Sequence, residues 1–248
     1  MNWLRYFEHN RDDRMPIPWE TGVNVPAHLR KTFVRSLQKF QIGESGEGRH
    51  LRKLSAATGD AQYATAMELF IREEQRHAAL MACILTRLNA PLLTSDWTDN
   101  CFVFMRHMSG LHTELLVVLL PEMIARVYFE ALRRGFSNPA MHAVFAQIVR
   151  DEKGHLAFHA DYLNKAFARM SFPRRIALQM AWRLVYRVVC LIVFLDHGPL
   201  LRAVGMPAKK FGEECGAVFD EVAAKIFSPA HVLSRPEECL KAEAALPG

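Results

Sequence analysis

Apolar residues recur along this chain at the three-and-four spacing of an amphipathic helix. No stretch alternates with the period of two that a half-buried strand requires. The first 25 residues, with Pro16 and Pro18 and with Pro26 just beyond, read as an irregular lead-in. A first helix is expected from Pro26 to about Ala57, closed by Gly59. Asp60 caps a second that continues to about Leu88, before a loop over Pro91–Asp99. A third covers Phe102 to Arg134 and ends at Gly135, with Gly110 and Pro121 as local conflicts that predict a break or kink. Ser137-Asn138-Pro139 starts a fourth that ends near Met170, Pro173 opens a fifth reaching Gly205, and a shorter helix spans Lys209 to Phe227. The expected class is all-α. One helical domain occupies residues 26–227, with a four-helix core at 26–170, covering helices at 173–227 and an irregular tail at 228–248.

Within these helices, acids and histidines stand where the pattern demands core residues. Met67, Phe70, Glu74, His77, Met81, Ile84 and Leu88 form one seam; Met141, Phe145, Ile148, Glu152, His155, His159 and Tyr162 form another. Glu and His three residues apart share a helical face, so each Glu-x-x-His offers two donors to one ion. The motif alone is weak, because Glu47-x-x-His50 is a third copy. The first helix adds Leu37, Phe40, Glu44, Glu47, Leu51 and Leu54, and the third adds Leu115, Val118, Glu122, Ala125, Phe129 and Leu132. Glu44 lies 30 residues before Glu74, and Glu122 lies 30 before Glu152. That distance fits the end of one helix, a turn and part of an antiparallel neighbour. Buried carboxylates cost several kcal/mol each unless a cation or a proton accompanies them. Glu47 is open to three readings: an additional ligand, an alternative first ligand, or half of an internal ion pair. Spacing favours Glu44.

Composition narrows the chemistry. Half of the 248 residues are apolar, and the net charge is +5. The basic residues are scattered; the nearest cluster is Arg169, Arg174, Arg175, Arg183 and Arg187, so no nucleic-acid partner is expected. Five cysteines (Cys83, Cys101, Cys190, Cys215 and Cys239) form no C-x-x-C pair, which excludes zinc-ribbon and rubredoxin-type sites. The N-terminus has no apolar signal region, and the most apolar run, Leu184 to Leu195, is about twelve residues and contains Arg187. No transmembrane segment and a reducing cytoplasmic location are expected. The longer stretch Ile176 to Leu201 is expected to cover the bundle, or to line an apolar substrate channel. His50, His112 and His159 are expected to be hydrogen-bonded structural histidines, with His159 the best placed to support a ligand.

Four carboxylates and two imidazoles are the donor set of di-iron and di-manganese bundle proteins. Hard oxygen donors with imidazole suit iron, manganese or a mixed pair, and zinc is compatible with the same ligand types. At these residues the chain resembles the ferritin-like di-iron carboxylate superfamily. Gly43-Glu44-Ser45 looks like the first-ligand stretch of rubrerythrins. Val149 to Leu156, followed by Phe158, is similar to the last ligand helix of aldehyde-deformylating oxygenases and ribonucleotide reductase small subunits. Glu122 with Ala125 and Tyr128 resembles the third-helix pattern of the deformylating oxygenases. The resemblance covers residues 30–165. It implies a ferritin-like antiparallel bundle whose two iron ions are held by Glu44, Glu74, His77, Glu122, Glu152 and His155. By the same resemblance Asp151 would orient His77, while Glu73 is open to two readings, a support for His155 or a solvated acid. The radical-storing reductases carry a Tyr where this chain has Met81, which argues against that role. The expected function is an O₂-dependent oxidase or oxygenase acting on a small apolar molecule. Its electrons would come from an external donor such as a ferredoxin or reductase. The alternative is a ferroxidase or peroxide-scavenging protein. A homodimer is compatible with either.

Overall fold

The computed structural model describes residues 1–94 and 110–228, and every regular element in them is helical. Helix α1 spans Trp3–Asp12 and is followed by a short 3₁₀ turn at Trp19–Thr21. Then come α2 (Ala27–Glu44), α3 (Arg49–Ala56), α4 (Ala61–Arg87), α5 (Leu111–Gly135), α6 (Pro139–Phe167), α7 (Phe172–Ala203) and α8 (Ala208–Phe227). The all-α expectation holds. Asp60 caps α4 by accepting from the Tyr63 amide at 2.9 Å, and Asn138 caps α6 through the Met141 amide at 3.0 Å with Pro139 in the first turn. The expected loop beyond Ser95, the third helix over 102–109, Cys101, Cys239 and the tail beyond Ser228 lie outside the described residues.

Three boundaries differ from the sequence reading. The first is that residues 26–57 do not form one helix, because α2 stops at Glu44 and α3 begins at Arg49. Two glycines in Ser45-Gly46-Glu47-Gly48 each weaken a helix by about 1 kcal/mol. Gly48 adopts φ +65°, and a Cβ there would stand 2.8 Å from the Ile71 side chain, so only glycine fits the turn. The second is the N-terminal lead-in, whose residues Trp3–Asp12 are helical with Asn2 as their cap. The third concerns α5: the helix starts just after Gly110, one of the two positions where a break is expected, and runs through Pro121, the other, without interruption.

The four long helices form two antiparallel hairpins. In the first, Glu44 of α2 reaches Glu74 of α4, while Arg30 bonds the Leu88 carbonyl. In the second, Glu122 of α5 meets His155 of α6, and Arg133 meets His142. The hairpins pack on each other with α4 against α6, where Tyr63 stacks on Tyr162 at 4.1 Å, and with α2 against α5, where Phe33 meets Phe136 at 5.1 Å. His112, near the start of α5, lies beside Tyr162 and Phe167. Helices α4 and α5 therefore start at the same end and run parallel. A core of fully buried Leu37, Met67, Met81, Tyr128, Phe129 and Phe145 fills the space between them.

Helices α7 and α8 close one flank. Trp182, Tyr186, Val189, Leu200 and Leu201 of α7 are buried, and the Trp182 indole donates to the Leu116 carbonyl at 2.9 Å. The run from Leu184 to Leu195 is only part of this helix. Over its 32 residues α7 is long and apolar enough, by length and composition, to cross a membrane. On the opposite flank α1 lies over α4 and α6, with Phe7 fully buried against Phe158 and His155.

Candidate metal centre

Each of the four long helices contributes at least one donor to a single buried cluster. Glu44 is the last residue of α2, Glu74 and His77 sit mid-way along α4, Glu122 on α5, and Glu152 and His155 on α6. Donor atoms of Glu74, Glu122, Glu152 and His155 lie within 4.8 Å of one another, and so do those of Glu44, Glu74 and His77. Glu74 is common to both groups. Glu152 also reaches both, with its carboxylate 3.6 Å from His77 Nδ1 and 3.6 Å from His155 Nδ1. All six residues singled out from the sequence are thus brought together. Their layout is two pairs, Glu44 with His77 and Glu122 with His155, joined by two acids, Glu74 and Glu152, that touch both. Glu47 is not among them. It sits in the break after α2, is exposed, and pairs with Arg49.

The cluster gathers four acids around two imidazoles. Among the described residues, both oxygens of Glu152, one of Glu74 and Nδ1 of His77 are buried without a hydrogen-bond partner. Unpartnered buried polar atoms are rare and costly, and these four point at one another. Burial raises the carboxyls of Glu44, Glu74 and Glu152, and the neighbouring acids add to it. Burial also disfavours a charged His155, but its hydrogen bonds to Glu122 and Glu73 and the nearby carboxylates of Glu152 and Glu74 outweigh this and raise it well above its ordinary value. Glu122 is opposed by burial and pulled down to about 2 by His155 and Glu152. Without a metal, protons and one imidazolium do the work of cations. Two divalent ions would satisfy the four acids, and each imidazole has its Nδ1 facing inward to complete a set. The residues present fit a two-metal centre.

The outer nitrogen of each imidazole is held by an acid. His77 Nε2 lies 3.1 Å from Asp151, and His155 Nε2 lies 3.0 Å from Glu73. The first pairing is the one that the resemblance implied, the second is the supporting reading of Glu73, and together they aim Nδ1 of each ring at the cluster. Burial works against ionised Asp151, yet His77 and Arg14 hold its carboxyl below the ordinary range.

Both acids are gripped by residues that the sequence reading left in an irregular lead-in. Arg14 spans them, with bonds of 2.6 Å to Asp151 and 2.7 Å to Glu73. Asn10 donates to the same two, at 2.7 Å to Glu73 and 3.0 Å to Asp151, and Gln147 donates to Asp151 at 2.8 Å. The available signal was the spacing Trp3, Phe7, Asn10, Arg14, which places one face of a helix and its extension against the bundle. His159 departs from expectation in the other direction. It is fully buried, and neither ring nitrogen has a partner among the described residues. Burial lowers it to about 4, so it is neutral, lying edge-on to Phe70 at 4.6 Å. His50 pairs with buried Glu114 at 2.9 Å.

Docking of α1 depends on Gly154, between the two ligands of α6. A Cβ there would stand 2.1 Å from the Tyr6 hydroxyl and 2.7 Å from its ring. Gly154→Ala is therefore expected to lower stability by about 1–3 kcal/mol. In a Tyr6→Ala background the same change should cost almost nothing. Thermal or urea denaturation of the four proteins checks this coupling.

A cavity of about 120 Å³ adjoins the cluster on the α7 side. Glu44, Glu74 and Glu122 form its floor, Phe40, Pro121, Ile124, Val189, Ile192 and Val193 its walls, and Lys39, Asp196 and His197 its polar edge. Lys39 pairs with Asp196. Ser36 links the Tyr128 hydroxyl and His197 Nδ1, each at 2.6 Å, beneath Phe40. The cavity touches one edge of the cluster; α1 seals the opposite side. Compared with protein-family models, with curated proteins and with solved structures, the chain matches none.

Proposed function

We propose that the chain is an O₂-dependent, non-haem di-iron oxidase or oxygenase of ferritin-like fold that acts on a small apolar molecule. The observation that carries this reading is the set of unpartnered inward-facing atoms: those of Glu74 and Glu152, which lie between the two imidazoles, and Nδ1 of His77. The helix order adds support: two antiparallel hairpins whose middle helices run parallel is the connectivity of ferritin-like bundles with one long crossover. Bound iron, reduced by an external ferredoxin or reductase, would supply the activation of dioxygen. A manganese or mixed pair fits the same donors.

The chain's own residues do the rest. Glu44, Glu74, His77, Glu122, Glu152 and His155 hold the ions. Asp151 and Glu73 fix the imidazole tautomers, and Arg14 neutralises that acidic pair. Phe40, Val189, Ile192 and Val193 give an apolar molecule a place beside Glu44 and Glu122. This walled cavity favours organic oxidation over ferroxidase or peroxide-scavenging activity, for which no such chamber is needed. Protein produced with iron should carry about two ions per chain and couple O₂ consumption to oxidation of an added aldehyde or fatty-acid probe. Metal-free protein from iron-replete cells, unable to take up ferrous ion, would sink the reading. Iron oxidation without organic turnover would favour the alternative.

A further inference from the structure

Helix α7 is apolar on two faces, and the bundle covers only one. Of the eleven large apolar side chains exposed among the described residues, nine lie on this helix. Phe172, Met180, Leu184, Leu191 and Leu195 are 75%, 68%, 66%, 59% and 72% exposed. With Ile176 and Val188 they follow a spacing of four and three, and so form one stripe about 35 Å long at 1.5 Å per residue. An uncovered apolar patch of that extent marks an interaction surface.

The charges around the stripe identify the occupant. Between Phe172 and Ala203 the chain carries five arginines and a single acid, Asp196. That acid is partly buried and already engaged by Lys39 and Arg35. Arg174, Arg187 and Arg202 are exposed. A second copy packed isologously on this helix would bring arginines together with no acid of the helix to meet them. Anionic lipid headgroups supply that charge, and acyl chains accept the stripe. The buried face, from Trp182 to Leu201, keeps the helix on the bundle, so it lies in the interface rather than crossing it.

We propose that α7 seats this protein on an anionic lipid bilayer as an interfacial helix. Ile192 belongs both to the uncovered face, where it is 41% exposed, and to the wall of the cavity above Glu44 and Glu122. The cavity therefore abuts the lipid-facing surface through Ile192, with Asp196 and His197 one turn further on at its polar edge. Resting on the oxidase reading, this makes the substrate class a lipid-dissolved hydrocarbon derivative rather than a water-borne metabolite.

Flotation of the iron-loaded full chain with vesicles tests the docking without any turnover. The protein is expected to float with vesicles of phosphatidylcholine and phosphatidylglycerol, and to bind about tenfold or more weakly to phosphatidylcholine alone or at high salt. Leu184→Glu/Leu191→Glu should abolish flotation while iron content and helicity stay as in the wild type. Arg174→Glu/Arg187→Glu should lose the preference for phosphatidylglycerol. A wild-type protein that stays at the bottom of the gradient with both vesicle types overturns the proposal. So does undiminished flotation of the double-Glu variant, or a wild-type dimer that the variant converts to monomer without any vesicle binding. Flotation of a protein that consumes no O₂ leaves the docking standing and removes the oxidase reading instead.

Discussion

Replacing Glu152 by Gln is expected to empty both halves of the centre while leaving the metal-free protein as stable as before. The carboxylate lies 3.6 Å from the inward nitrogen of each imidazole and is the acid with both oxygens unpartnered. It has no hydrogen-bonding task in the metal-free fold, and burial already drives it toward the protonated form, for which the amide is close in shape. Its loss should weaken retention of iron by more than about a hundredfold, the upper end of what changes to outer supporting residues cost. Metal analysis after chelator challenge gives the retention. Denaturation of the apo-protein gives the stability, expected within about 0.5 kcal/mol of wild type or higher. A glutamate kept for architecture alone would give the opposite pair of results: a destabilised apo-protein that still holds two metals.

The second large effect is expected at Arg14, far from any ligand in sequence. Arg14→Ala leaves Asp151 and Glu73 buried side by side, with Asn10 and Gln147 as neutral donors but no cation outside the cluster. Removing one member of a buried charged set costs about 3 kcal/mol or more. The remaining hydrogen bonds and the 18% exposure of Arg14 place the expectation near that lower figure. Iron affinity should fall about ten- to a hundredfold, because both imidazoles lose the support that aims them. Arg14→Lys, which keeps the charge but cannot bridge two acids, should fall between. Chelator competition and urea denaturation read the two effects separately. Unchanged iron affinity in Arg14→Ala would show that the bridge does not support the ligands.

The residues that carry chemistry were legible because core positions are expensive places for acids. Glu74, His77, Glu152 and His155 interrupt seams that would otherwise be Met, Phe and Ile, and the equal 30-residue offsets of Glu44 and Glu122 reflect two antiparallel hairpins of similar height. What was not legible has two physical causes. Helix α2 ends at Glu44 because of glycines whose effect depends on Ile71 standing against Gly48, a contact made across helices. Glu47, read on a continuous helix, falls on the core seam; within the break it faces solvent. Helix α1 is short and polar, and its stability comes from docking, through Phe7 into the core and through Asn10 and Arg14 onto the acids. Local pattern says little about a segment held by tertiary contacts.

That dependence orders events during synthesis. Helix α1 precedes the bundle in the chain, yet the two partners of Arg14 lie 59 and 137 residues later, on α4 and α6. Closing so long a loop precedes the gain from the contacts with α6, so the full grip on both acids is expected only once α6 is in place. The bundle can assemble its ligands with that side open to solvent and then be latched. An ion bound by this cluster would have the interval before latching to enter from the side opposite the cavity, and a latch that opened again would give it a way out.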